Sequence, residues 1–386
     1  MTTTTRLLIV LLSSVVASAG ARPRTSLFDE YQAHDFARFE SDLGATSDFP
    51  ALAAEAQAVS SSWPADAGAA YLLEVAAAAM HGEIFPKLTG PPDSHGERTL
   101  SSFAGGPFHT DLRTDWRALL QASEQCISRM PPDAPLARAW GRAFMALLVG
   151  ASEVSPQTGV SVVVDLFERL PTSTRDRIDD QAWMMARGSA YEAVVATTLS
   201  YDLPALLGDE RAGSDTRDVG TNYPAVRGTL VRAFNEGMKA FLAGMSYPDT
   251  RAEAAVHLGS LAMLRDQPGD LVFALSHFEL ARTWHPDPDV LYVSWVLEGE
   301  AHRRLGETDK ATDAFARAAA LTPNGSAARL GLAVQAFLAG DDLKAGQLSQ
   351  QILDTPAGAD DPWILFQHGD YRHWAQRVDA LRKALQ

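Results

Sequence analysis

The chain of 386 residues predicts an all-α protein built from antiparallel helix pairs, and three observations carry that expectation. From residue 25 onward, amphipathic helical stretches alternate with glycine and proline breakers. No run reads as a strand: residues 160–164 are mostly β-branched, but Val163, Leu166, Phe167 and Leu170 continue them at helical spacing until Pro171. Finally, residues 290–324 spell out one complete helix pair, which sets the pattern for its neighbours.

Residues 1–21 read as a secretory leader. Arg6 is the positive start and residues 7–16 form a mostly apolar run. Ala17-Ser18-Ala19, or alternatively Ala19-Gly20-Ala21, supplies a small-x-small cleavage site. The mature protein is therefore expected to be exported, periplasmic or extracellular. No cysteine follows the apolar run, which excludes a lipid anchor there. Cys126 stands alone, so no intramolecular disulfide forms, and its place on an apolar helix side predicts a small buried residue. The net charge of −15 argues against a nucleic-acid surface. No apolar stretch of about 20 residues is present, so stable membrane insertion is not expected.

Helices are predicted over residues 26–42, 48–61, 64–82, 113–130, 134–151, 157–170, 174–199, 224–245, 249–265, 270–284, 288–305, 307–321, 324–339, 341–354 and 370–385. The helix over 64–82 is expected to pair with 113–130, and the one over 174–199 with 224–245. Polar insertions at 83–112 and 203–222 then leave between the first and second helix of a pair, a position where such arrays collect binding loops.

Within residues 290–324, Trp295 and Ala301 share a helix face, and Gly306 ends that helix by accepting left-handed dihedrals. Thr308 is the expected N-cap of the second helix, where Ala311, Phe315 and Ala318 form one stripe. Gly299 and the alanines admit close approach, Trp295 and Phe315 fill the space, and Pro323 closes the unit. Neither helix buries its stripe alone, so stacked neighbours are required. Upstream, Leu258, Gly259, Ala274, Phe278, Ala281 and Pro286 repeat the spacing, with three extra residues in the turn at 266–269. Downstream, Leu330, Gly331, Ala333 and Ala345 follow it more loosely, and Gly188, Ala190 and Tyr191 open an earlier copy completed at Ala243 and Pro248.

This spacing resembles the tetratricopeptide repeat. The match departs at Glu298, where the repeat has leucine, and at His302, where it has tyrosine. The resemblance implies an α-solenoid of antiparallel helix pairs, a superhelix of about seven pairs. Its organisation would be a divergent region over 25–248, regular repeats over 249–355, and a C-terminal cap over 356–386. In that cap Trp363, Phe366 and Trp374 would cover the open end of the stack.

Catalytic patterns are missing from the sequence: no G-x-S-x-G elbow, no phosphate loop, no H-E-x-x-H and no cysteine pair for a metal. His368, Asp370 and His373 are read as surface polar residues, and no cofactor or metal is expected. Asp179-Asp180 and Asp341-Asp342 suit helix N-termini. The resemblance implies that first-helix residues line a concave groove. Carried over from the glycine register, these are Glu253, Ser260 and Met263; Val293, Glu300, Arg303 and Arg304; and Leu332 and Gln335. The subset that grips peptide carboxylates uses a lysine where this chain has Val256, Val296 and Ala328, so that mode is not expected. The function implied is a non-catalytic scaffold for a partner protein or peptide. The alternative is a small-molecule, glycan or peptide binder, or an enzyme, with a pocket under the two insertions.

Overall fold

The computed structural model describes residues 25–46, 48–82, 108–154, 167–206, 219–355, 361–367 and 369–386. The leader, most of the insertion at 83–112, and most of the expected helix over 157–170 lie outside them. Among the described residues every regular element is helical. In chain order these are α1 (Thr25–Gln32), α2 (Phe36–Gly44), α3 (Phe49–Val59), α4 (Ala65–Gly82), α5 (Phe108–Ile127), α6 (Pro135–Val154), α7 (Thr172–Arg175), α8 (Asp180–Leu206), α9 (Val219–Gly244), α10 (Arg251–Arg265), α11 (Asp270–Thr283), α12 (Pro288–Arg304), α13 (Thr308–Leu321), α14 (Ser326–Leu338), α15 (Asp342–Leu353), α16 (Pro362–Gln367) and α17 (Trp374–Lys383). A 3-10 turn, Gly369–His373, joins the last two.

The helices are longer at the insertions than the sequence suggested. Residues 108–112 belong to α5, residues 203–206 end α8 and residues 219–222 begin α9. Two other predicted helices are broken. His34, at a left-handed φ of 60°, separates α1 from α2, and the stretch at 174–199 divides into α7 and α8.

The chain forms two compact units, dividing at Met130–Pro131. The first holds α1 to α4 and α5 from Thr110 onward. Tyr31 and Phe39 are fully buried there, Tyr71 meeting the first edge-on and the second at a tilt, and the Tyr31 hydroxyl donates to Glu74 at 2.7 Å. Helices α4 and α5 meet where Ser123 donates to the Ala69 carbonyl at 2.7 Å and Gly68 faces the Cys126 sulfur. Cys126 is fully buried, and burial pushes its thiol up despite the Arg129 guanidinium beside it.

The second unit packs consecutive helices in pairs: α8 with α9, α10 with α11, α12 with α13, α14 with α15. First helices also touch one another in sequence, α8 to α10 to α12 to α14, and each second helix meets the next first helix. The reason is visible in the glycines. Gly188 receives the Phe241 ring, Gly259 receives Phe278, and Gly299 receives Phe315, in each case so closely that a Cβ would lie 2.4 to 2.7 Å from the ring. Phe315 also presses on Gly331 of the following pair. In the α8–α9 pair the contact is one residue later than expected: Phe241 meets Gly188, and Gly244, not Ala243, stands three residues on.

Helix ends follow local chemistry. Gly306 (φ +75°) and Gly340 (φ +79°) are left-handed and close α12 and α14. The Glu307 amide donates to the His302 carbonyl and the Gly306 amide to that of Arg303, the paired bonds of a Schellman end. Thr308 is the first residue of α13 and not its cap. Glu307 takes the cap position, its carboxylate held by His302 Nδ1 at 2.6 Å and Lys310 at 3.1 Å. Asp179 and Asp341 do cap helices, accepting from the amides of Ala182 and Lys344.

The C-terminal residues do not simply follow the last pair. Helix α16 packs on α12, the 3-10 turn on α6 and α8, and α17 on α6. The segment therefore runs back across the first helices toward the start of the unit.

Candidate functional site

The first-helix face is defined by what each residue touches. On α12, Glu300 is gripped bidentately by Arg303, with two bonds of 2.6 Å, and by Arg304 at 2.9 Å. Burial works against the Glu300 charge, but the two guanidiniums hold its carboxyl below the ordinary range. Arg304 also donates to the Met263 carbonyl at 3.0 Å, tying α12 to α10. Arg303 keeps 37% of its side chain exposed. Ser260 is half-buried on α10. Gln335 is buried on α14, and its Nε2 has no hydrogen-bond partner among the described residues. Met263 and Val293 were expected to line a groove; both are buried in the core, as are Val256, Val296 and Ala328. These positions turn inward because a first helix touches the preceding and following pairs as well as its own partner, leaving a narrow free face.

Glu253 is the predicted residue with the densest surroundings, and it leads to a cluster that the sequence did not reveal. His257, one turn later on α10, is 3% exposed. Its Nδ1 lies 2.7 Å from Glu192 on α8, and its Nε2 lies 3.6 Å from Glu253. The imidazole is sandwiched between Phe241, parallel within 2° at 4.9 Å, and Phe366 of α16 at 4.0 Å. Arg372, from the 3-10 turn, completes the chain of charges with a 2.7 Å contact to Glu253, and its guanidinium lies 5.8 Å from the Phe366 ring centre.

Charge therefore alternates from Glu192 through His257 and Glu253 to Arg372. Burial is the largest influence on His257 and opposes its charge, but Glu192 and then Glu253 outweigh it and hold the imidazole up to about 9. Burial likewise pushes Glu253 upward, yet Arg372 and His257 bring it down to about 2. An ionised chain of this kind ties α8, α10 and the C-terminal turn together through opposite charges. The C-terminal segment brings a cation, Arg372, and an aromatic ring, Phe366, against it.

The rest of the C-terminal segment is fitted with equal care. Asp361 is buried and accepts from the Ser326 amide at 2.7 Å, from the Ser326 hydroxyl, and from the Trp363 amide at 2.9 Å, so one carboxylate caps α14 and α16 together. Gly369, at a left-handed φ of 51°, lies against Val149 and Ser189, and the Tyr371 ring covers Gly150 closely enough to exclude any larger residue there. Phe366 and Leu381 are buried, and Trp363 packs on the core around α12.

Among the described residues no group of three or more His, Cys, Asp or Glu side chains could hold a metal ion, and no helix is long and apolar enough to cross a membrane. His368 lies outside the described residues. No protein-family model matches the chain. Comparison with curated proteins finds no match either.

His257 escaped the sequence reading because it sits inside the apolar run of α10 and its partners are remote. Glu192 precedes it by 65 residues. One local signal was present: Glu253 and His257 are four apart on one helix, the spacing of a facing pair.

Proposed function

We propose that this chain is a non-catalytic interaction scaffold of the tetratricopeptide type, an α-solenoid whose first-helix face takes a segment of a partner protein or peptide. The observation that carries this reading is that the face is already engaged by polypeptide. The chain's own C-terminal segment lies across α6, α8 and α12 and reaches α10 through Phe366 and Arg372. A surface that accepts a helical segment with side-chain anchors, one aromatic and one charged, has the properties of helix-in-groove recognition. The recurring glycine–phenylalanine contacts of three successive pairs support the repeat assignment. Residues 1–21 support export, and the partner is accordingly sought in the envelope or outside the cell.

In this reading Glu253, Ser260, Glu300, Arg303, Arg304 and Gln335 belong to the recognition face, with Arg303 the most exposed of its cations. The test is capture from a native envelope extract on the immobilised full chain and on an Arg303→Glu/Arg304→Glu variant. The full chain is expected to retain a defined protein. The variant, with helicity unchanged by circular dichroism, is expected to retain about tenfold less, the effect of reversing charge at a recognition contact. Equal retention by both would remove the α12 end of the face from the site.

A further inference from the structure

The slot on α8 and α10 has a chemistry that narrows its partner. Glu192 and Glu253 bring two half-buried carboxylates to either side of buried His257, which supplies a single cation between them. Taken without the C-terminal segment, the slot would hold an excess negative charge beside an uncovered imidazole face. Arg372 neutralises the first and Phe366 covers the second. These two residues are six apart in the chain, one on α16 and one in the 3-10 turn that follows it. With the segment in place Glu253 is shielded from water and its charge is met by Arg372, so any occupant that covers the slot in the same way must bring a cation of its own.

We propose that this slot is the protein's recognition site for basic segments that present an aromatic ring followed six residues later by an arginine, and that the chain's own C-terminal segment occupies it as an internal ligand until such a partner displaces it. The proposal rests on the scaffold reading above and specifies its site. Phe366 and Arg372 mark the two positions of the ligand: the ring stacks on His257 and the guanidinium pairs with Glu253. Gly369 between them takes a left-handed φ of 51° close to Val149 and Ser189, so glycine suits the midpoint. An acidic segment would meet Glu192 and Glu253 with like charge, which excludes it.

The test uses the full chain and a fluorescent synthetic peptide of residues 361–386. Three proteins are compared by anisotropy titration: the natural chain, Arg372→Glu, and the charge-exchanged pair Glu253→Arg/Arg372→Glu. In the natural chain the internal segment competes at high effective concentration, so the free peptide binds weakly. Arg372→Glu places like charges at Glu253, frees the slot, and is expected to bind the peptide about tenfold tighter or more. The exchanged pair restores an ion pair within the chain and is expected to recover the thermal midpoint that Arg372→Glu lowers, read by circular dichroism, which separates loss of docking from loss of folding. A peptide with Phe366 and Arg372 both replaced by alanine should not bind any of the three. Equal peptide affinity for the natural chain and Arg372→Glu, with matching helicity, overturns the proposal. So does a shift of Arg372→Glu to a dimer without peptide binding, which would give the slot to a second copy. Capture of an envelope protein that is indifferent to Glu253→Arg/Arg372→Glu would leave the scaffold standing and remove this slot from it.

Discussion

His257 concentrates several effects in one side chain: burial, two carboxylates, and two aromatic faces. Its pH behaviour follows from their balance. The folded imidazole is raised from 6.5 to about 9, so its stabilising contribution is complete below about 6.5 and disappears as pH rises through about 9. Glu253 works in the opposite direction: it is lowered to about 2, so its contribution is present above the usual carboxylate range and is lost as pH falls toward that value. The groups facing His257 are Glu192 on α8, Glu253 on α10 and, beyond Glu253, Arg372 of the C-terminal turn. Urea unfolding followed by circular dichroism should therefore show stability declining between pH 6.5 and 9, by on the order of 3 kcal/mol from this residue. His257→Gln should be less stable at pH 6 and flatter across that window. Parallel pH profiles for the two proteins would refute the assignment of charge to His257.

At the scale of the element, close helix packing depends on glycines at which the facing ring leaves no room. The contact at Gly259 is the tightest of the within-pair set: a Cβ would lie 2.4 Å from the Phe278 ring, and Phe278 is fully buried with nowhere to retreat. Gly346 is the natural control, exposed in the middle of α15 with nothing within 4 Å of a Cβ. Gly259→Ala is expected to destabilise by about 1–3 kcal/mol through overpacking. Gly346→Ala is expected to stabilise by up to about 1 kcal/mol through helix propensity alone. Thermal and urea unfolding of the two variants would check the opposite signs. The two departures from the repeat pattern also make sense at this scale. Glu298 pairs with Arg282, whose guanidinium stacks 3.9 Å from the Trp295 ring, while His302 holds Glu307. A polar chain thus links α11, α12 and the start of α13 where the repeat would place leucine and tyrosine.

For the whole molecule, the path of the C-terminal segment has a cost elsewhere. The segment was expected to cover the end of the stack; instead it lies on earlier helices, and the last pair keeps Leu330, Phe337, Leu338, Leu343 and Leu353 exposed. Leu343 and Leu353 are 75% and 77% accessible, so little stability is invested in them. Leu343→Lys/Leu353→Lys should leave unfolding within about 0.5 kcal/mol of the natural chain and reduce self-association, read by light scattering at rising concentration. A large loss of stability would show that these side chains are packed after all.

The helical class, most helix positions, the turn glycines and the glycine–phenylalanine register of α10 to α13 were legible in the sequence, because each depends on residues within one turn or one pair. The placing of Glu300, Arg303 and Arg304 together on one helix was legible for the same reason. Three things were decided only in the tertiary structure. The α8–α9 contact falls on Phe241, one residue from the local expectation, since the intervening chain carries no register. Val293 and Met263 are buried, because neighbouring pairs cover them. The cluster of Glu192, His257, Glu253 and Arg372 exists because residues up to 180 positions apart converge when the chain's end folds back. Periodicity reports which face of a helix is apolar; it holds no information about which distant segment will come to rest on that face.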